Sequence, residues 1–404
     1  MAQENLGAAK KKKNDEFYTQ YRDIEKEMNA YLDFDKDVLL DKTILLPCDD
    51  PEWSNFTKYF AQNFERLGLK KLISTSYAPD SKPSELNLQL TLFETQSPKF
   101  DKSKARANGK IYTLTRDTTG DQKVNVEDLE WEYLQGDGDF RSAEITTLRD
   151  EADIIITNPP FSLFREFLAW IVEAGKQFSI IGNMNAITYK ETFPLIKDGQ
   201  IWLGNNARVN GGAMFYEIPE SIANLDQVRE VITDEAGRKR YITRVQGVRW
   251  FTNIEHGIRH TKLTLMSEVD NVRFSKHKEV KDKGYQKYDN YDAIEVPYVD
   301  AIPSDFTGVM GVPISILDKY NPDQFEILGA TQRGCHDAVP DTRKYDDYWE
   351  VKPSGEPTGS SGGKTNENAN LEGNDGKKNY FINREGRVIQ SAYQRIFIKH
   401  RGTA

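Results

Sequence analysis

Short unbroken apolar runs recur through the first half of the chain, in "VLLDKTILLPC", "LKKLISTSY", "ADIIIT" and "QFSIIGNM". Such runs are the mark of strands buried on both faces. Between them the apolar residues fall at every third or fourth position, the spacing of amphipathic helices. In "PEWSNFTKYFAQNFERLG", Trp53, Phe56, Phe60, Phe64 and Leu67 share one face and Gly68 supplies a stop. In "SLFREFLAWIVEAGK", Phe164, Phe167, Leu168 and Ile171 do the same. Strand, helix and strand in alternation predict parallel strands joined by right-handed crossovers, a doubly wound α/β domain over residues 15–198. Residues 78–134 interrupt the alternation with polar stretches around "KIYTLT" and read as an insertion.

Beyond residue 199 the pattern changes. "GAMFYEI", "RKRYITRVQGVRWFT", "KLTLMS", "EVPYVDAIP", "GVMGVPISILDKY" and "FEILGAT" are strand-like pieces, the first of them mixing aromatics with arginines, so residues 199–404 read as a β-rich second region. Within it, residues 353–378 are Gly-, Ser- and Asn-rich, cannot bury much apolar surface, and are expected to form a flexible loop. "YFINREGRVIQSAYQRIFIKH" then returns as two strands around "NREGR". Residues 1–14, with four lysines at 10–13, read as a disordered basic arm.

Composition narrows the class. No stretch reaches the roughly 20 apolar residues of a membrane span, and the N-terminus lacks a signal-peptide core, so a soluble cytoplasmic protein is expected. Two cysteines, Cys48 and Cys335, and five scattered histidines exclude a disulfide framework and a cysteine-rich zinc site, and no metal is expected. The net charge of −9 argues at first against a nucleic-acid partner. Residues 235–290, however, hold thirteen Lys/Arg against seven Asp/Glu, a local excess of six. The basic residues are concentrated rather than absent.

The chemistry gathers in "IIITNPPFSLF", residues 154–164. Proline has no N–H for a ladder, so Pro159 and Pro160 must end the strand that the isoleucines begin. In open parallel sheets, ligands bind at the carboxyl ends of strands. Asn158, Pro159, Pro160 and Phe161 would therefore present an amide, a carbonyl and a ring at the functional rim. Placed after a hydrophobic strand and before an amphipathic helix, this tetrad resembles the catalytic motif of S-adenosylmethionine-dependent amino-methyltransferases. An exocyclic amine is a poor nucleophile because its lone pair is delocalised into the ring. Fixed acceptors for both of its N–H groups favour the pyramidal, nucleophilic form. The Asn158 side-chain oxygen and the Pro159 carbonyl supply such acceptors, and Phe161 can stack on the target ring.

Further stretches extend the likeness. "NDEFYTQ", "LLPCDDPEWSNFTKYF", "LKKLISTSY", "GDGDFRS", "TNPPFSLFREF", "VRWFTNIEH" and "VPISILDKYNPDQFEILG", in that order, resemble the DNA adenine-N6 methyltransferase family typified by the EcoRI modification enzyme, with the γ arrangement of motifs. The resemblance implies a Rossmann-like class I methyltransferase sheet, S-adenosylmethionine as cofactor, and a C-terminal β-rich target-recognition region. It implies double-stranded DNA as substrate and a cognate restriction endonuclease as a candidate partner. Phe17, Tyr18 and Thr19 match the motif that lies against the methionine part of the cofactor, although the same residues could simply start a helix. Cys48, Asp49 and Asp50 end the first strand, where a carboxylate would meet the cofactor's amine; the usual glycines are absent, and Asp50 could equally cap the next helix. Asp139 and Phe140 match the pair that hydrogen-bonds the adenine amino group and packs on its ring; the alternative is a loop turn. The acid expected after the second strand has no counterpart.

A stacked base cannot enter such a site, so adenine must flip out while the second region holds the duplex. Arg238, Lys239, Arg240, Arg244, Arg249 and Arg259 are the candidates for phosphate and groove contacts, against the alternative of a solvated β face. The tetrad also serves enzymes that methylate protein glutamine or a guanine amine in ribosomal RNA. A catalytically idle nucleic-acid-binding subunit is a third reading, favoured by the missing glycines and opposed by the intact tetrad.

Overall fold

The computed structural model describes residues 18–49, 54–78, 97–205, 213–218, 228–233, 239–331, 345–366 and 368–402. Its contacts divide the chain into two compact units, Met1–Met184 with Ile201–Gly257, and Asn185–Gln200 with Ile258–Ala404. This division differs from the boundary expected at residue 198. The reason is strand pairing: the first unit's sheet takes its last strands from beyond that point.

The first unit contains strands β1 (Tyr18–Thr19), β2 (Thr43–Leu46), β3 (Lys71–Ser76), β4 (Lys110–Leu114), β5 (Glu130–Tyr133), β6 (Ile154–Thr157), β7 (Gln177–Asn183), β8 (Trp202–Leu203), β9 (Ala213–Ile218), β10 (Val228–Thr233), β11 (Lys239–Gln246) and β12 (Val248–Thr252). Its main sheet has eight strands in the order β5-β4-β3-β2-β6-β7-β12-β8. The inner four, β3, β2, β6 and β7, are parallel, and the outer strands are antiparallel. Every residue of β2 and β6 is buried, as expected of runs covered on both faces. The stretch read as an insertion supplies the edge hairpin β4–β5, because "KIYTL" alternates buried and half-buried positions and pairs with β3. "VLLD" is a turn rather than the start of β2, with Asp41 at φ 56°.

The apolar helix face after β2 is present in two pieces, Asn55–Gln62 and Phe64–Leu67, with Phe56, Phe60, Phe64 and Leu67 buried. Ser54 caps the first piece, its hydroxyl accepting the Phe56 N–H at 3.0 Å. The helix Phe164–Glu173 buries Phe164, Phe167, Leu168 and Ile171. A second sheet of this unit, β1-β9-β11-β10, is antiparallel throughout. "RKRYITRVQGVRWFT" is thus two strands in two sheets, separated at Gly247, whose φ of 75° suits glycine. No described helix is long and apolar enough to cross a membrane.

The second unit carries β13 (Ala293–Glu295), β14 (Val309–Pro313), β15 (Phe325–Ala330) and β21 (Arg395–His400) in the order β13-β14-β21-β15. A five-stranded sheet β17-β16-β19-β20-β18 uses β16 (Trp349–Val351), β17 (Pro357–Ser361), β18 (Asn370–Glu372), β19 (Tyr380–Ile382) and β20 (Val388–Ser391). "KLTLMS" forms no strand. The expected flexible loop at 353–378 instead holds β17 and β18. Polar side chains do there what apolar burial does elsewhere: the Asn290 Oδ1 accepts the Asn370 N–H at 2.9 Å, Asn370 Nδ2 donates to the Thr365 carbonyl at 2.9 Å, and Ser391 donates to Asn370 Oδ1 at 2.7 Å. Buried amides whose bonds are all made are tolerated in a fold.

Candidate functional site

The chain leaves β2 for β3 on one side and later returns to β6 on the other, so the order of the parallel strands reverses beside β2. The crevice at such a reversal, outside the carboxyl ends, is where open α/β sheets take ligands. The residues delivered there are Cys48 and Asp49 after β2, Tyr77 after β3 and Asn158 after β6.

The tetrad begins one residue past β6. Asn158 is half-buried, Pro159 buried, and Pro160 and Phe161 half-buried. Pro160 lies at φ −54°, ψ 123°, and its carbonyl accepts the Leu163 N–H at 2.9 Å as the chain turns into a short 3-10 helix, Phe161–Leu163. Phe161 packs partly against the main apolar cluster and keeps part of its ring exposed. The ladder therefore stops where the prolines predict, and the turn leaves part of the Phe161 ring exposed while the Asn158 Oδ1 itself is buried.

Asp49 is nearly buried, and both carboxylate oxygens are engaged: Ser54 donates to Oδ1 at 2.7 Å and Thr157 to Oδ2 at 2.5 Å. Its own carbonyl accepts from the hydroxyls of Ser74 and Thr57, and Thr75 donates to the Pro47 carbonyl at 3.0 Å. Hydroxyls thus hold this strand end. Cys48 is half-buried and in no disulfide. Thr19 is buried in β1, its carbonyl accepting Asn55 Nδ2 at 2.8 Å, which ties β1 to the helix after β2. Tyr18 pairs with Glu217 and Thr19 with Tyr216, so these residues form an edge strand, and the helix starts only at Tyr21. Phe17 and Asp50 lie outside the described residues.

The "GDGD" turn packs on the end of β3. Gly138, at φ 87°, sits so close that a Cβ there would lie 2.4 Å from the Ser76 carbonyl oxygen, which explains the glycine. Asp139 follows, chelated by Arg141 through Nε at 2.9 Å and Nη2 at 2.6 Å; these bonds hold its carboxyl below the ordinary value. Arg141 also reaches Glu166 on the helix after the tetrad at 3.0 Å. Tyr77, unnoticed in the sequence, joins the group: burial raises its phenol, the neighbouring Cys48 and Asp139 add to the effect, and the Phe140 N–H bonds to it. A tyrosine directly after an apolar strand was the available signal. Phe140 itself is fully buried, edge-on to Phe167 at 5.0 Å and Trp170 at 5.6 Å. Its ring anchors the turn in the core, and the surface it would need to pack on a cofactor's adenine is already covered.

The described arginine-rich candidates fall on different elements. Lys239, Arg240 and Arg244 lie on β11, with Lys239 exposed and Arg244 half-buried. Arg249 is on β12 inside the main sheet, 6% exposed, its guanidinium donating to the Val248 carbonyl at 3.0 Å. A phosphate contact from Arg249 is at odds with that burial. Arg259 belongs to the second unit, in the 3-10 helix Gly257–His260, and Arg238 lies outside the described residues. One acidic group forms among the described residues, Asp117, Asp121 and Asp128, with oxygens within 4.8 Å of one another. The buried Asp128 carboxylate there accepts the N–H groups of Thr118, Thr119 and Asn125.

Comparison with known proteins places this geometry in context. A family model described as adenine-specific methyltransferase EcoRI matches residues 5–401. The chain is 41% identical over 323 residues to the type II methyltransferase M.EcoRI of Escherichia coli, covering 80% of this chain and 88% of the relative. It is 33% identical over 320 residues to M.MpnI of Mycoplasma pneumoniae, covering 79% and 83%, and 34% identical over 326 residues to M.MgeORF184P of Mycoplasma genitalium, covering 80% and 85%. No solved structure matches.

Proposed function

This chain belongs to the EcoRI family of adenine-specific methyltransferases, and from that premise we propose that it transfers a methyl group from S-adenosylmethionine to the N6 amine of an adenine flipped out of duplex DNA. The observation that carries the mechanism is the position of Asn158, one residue past a buried parallel strand at the reversal of strand order. On this reading the eight-stranded sheet is a Rossmann-like class I methyltransferase sheet, the first unit is catalytic, and a cognate restriction endonuclease shares the target sequence.

The residues present fit the cofactor. A carboxylate at the end of β2 and another after the "GDGD" turn suit a ligand with a cationic amine, a sulfonium and an exocyclic adenine amine. The bound cofactor supplies an electrophilic methyl group on a positively charged sulfur. The protein's part is positional. The Asn158 side-chain oxygen and the Pro159 carbonyl accept the two N–H groups of the target amine, and Phe161 stacks on the base with its exposed part. Held in this way, the amine nitrogen would present its lone pair to the methyl group that the cofactor would supply. Tyr18, Thr19, Cys48, Asp49, Tyr77 and Asp139 would line the cofactor side, with the Phe140 ring behind them.

The direct test is to sequence modified bases in DNA from cells expressing the protein. N6-methyladenine at one recurring sequence is the expected result; DNA with no modified adenine overturns the reading. Asp139→Ala should weaken S-adenosylmethionine binding by about 1–3 kcal/mol in calorimetry, because one charged acceptor for the adenine amine is lost. Unchanged affinity would make Asp139 a turn residue only.

DNA contact should depend steeply on salt despite the net charge of −9, since log affinity falls with log salt at about 0.9 per phosphate contact. Replacing Lys239 and Arg240 together should lower that slope by about 1 per lost contact and weaken binding to all sequences alike. An unchanged slope in a salt series moves the phosphate contacts off β11.

A further inference from the structure

The last residue of β6, Thr157, is fully buried, and its hydroxyl does not satisfy itself on the neighbouring backbone. It donates to Asp49 Oδ2 at 2.5 Å, across the sheet. The backbone register shows what this bond adds. On one side β6 is laddered to β7 through Thr157 opposite Ile180. On the other side its pairing with β2 ends at Ile155 opposite Leu45, two residues before Thr157. The Asp49–Thr157 contact continues the connection on that side by side chains, directly before the tetrad. Asp49 is itself held by Ser54, the cap of the helix Asn55–Gln62, and by the hydroxyls that fix its carbonyl.

We propose that Thr157 is a positioning residue for methyl transfer: anchored on Asp49, it sets where the Asn158 amide points, and it ties the amine-holding turn to the strand end on the cofactor side. The inference rests on the reading of Asn158 as acceptor of the target amine. A short hydrogen bond to a carboxylate oxygen in a buried setting is among the stronger ones a side chain makes. Displacements near 1 Å at a reacting group can lower rates about 10²-fold. The hydroxyl therefore governs the chemical step more than the binding of either ligand.

The test compares Thr157→Val, which keeps the shape and removes the hydroxyl, with Thr157→Ser, which keeps the hydroxyl, and with Asn158→Ala as reference. In single-turnover methylation of duplex DNA, Thr157→Val should be slower by about 10- to 100-fold, with S-adenosylmethionine affinity within about twofold of wild type, and Thr157→Ser should recover most of the rate. If Asn158→Ala is inactive while Thr157→Val turns over like wild type, the inference is overturned and the reading of Asn158 stands. If Asn158→Ala keeps its rate, that reading is what fails. A Thr157→Val enzyme that loses cofactor affinity in step with rate, or a Thr157→Ser enzyme no better than it, also overturns the positioning role. Should Thr157→Val not fold, Thr157→Cys keeps a similar volume with only a weak donor and is held to the same rate and affinity criteria.

Discussion

Asn158→Ala should lower methyl transfer by about 10²–10³-fold while S-adenosylmethionine binding stays close to wild type. The asymmetry follows from where the side chain sits. Asn158 stands on the turn that ends β6, and the groups assigned to the cofactor stand on the ends of β2 and β3 and on the "GDGD" turn. Removing the amide takes away a preorganised acceptor that matters most when the target nitrogen becomes pyramidal and gains positive charge. Ground-state binding needs it much less. Asn158→Asp is informative beside it, since a carboxylate keeps the acceptor and adds charge; it should retain more activity than alanine. The measurement is single-turnover methylation together with cofactor calorimetry. Near-normal turnover in Asn158→Ala would show that the strand-end tetrad is not the amine site.

The second large effect concerns stability of the other unit. Glu295, at the end of β13, and Arg395, at the start of β21, form a buried pair in which Arg395 Nε lies 3.1 and 3.0 Å from the two carboxylate oxygens and Nη2 lies 2.5 Å from Oε1. Both side chains are under 10% exposed. The Tyr288 hydroxyl donates to the same carboxylate, and burial together with the Glu295 charge raises its phenol far above the ordinary value, so it remains a neutral donor. Glu295→Ala leaves a guanidinium buried without its counter-charge and should destabilise the unit by about 3–5 kcal/mol. Replacing both partners by apolar residues of similar volume should recover much of that loss, because no charge is then stranded. Urea unfolding followed by Trp and Tyr fluorescence checks both. A single variant within about 1 kcal/mol of wild type would mean that water reaches Arg395 and that the pair is not as dry as its exposure indicates.

Much of the first unit was legible in the chain. The run "IIIT" cannot be solvated, the two prolines cannot continue a ladder, and the helix after them has one apolar face; each of these is a local constraint, and together they locate Asn158 before any contact is known. The likeness to a methyltransferase family rested on the same local stretches, which is why it held. Asp139 was singled out only through the likeness of "GDGDFRS" to a family motif, and the close approach of Gly138 to the Ser76 carbonyl is visible in the structure alone.

What the pattern could not carry was pairing between distant segments. "VRWFT" reads as a basic, aromatic surface strand, yet β12 lies between β7 and β8 in the main sheet, so Arg249 is buried and the first unit extends to residue 257. Residues 353–378 read as a loop because apolar content was the only measure of order available. Their strands are instead held by amide and hydroxyl bonds to Asn290 and Ser391, residues outside the segment. The partnership of Asp49 and Thr157 spans 108 positions and depends on β2 and β6 being neighbours. A sequence by itself determines period, breaks and turn chemistry, because these act over a few residues; which strand lies beside which, and so which carboxylate meets which hydroxyl, is decided only when the sheet closes its hydrogen bonds in three dimensions.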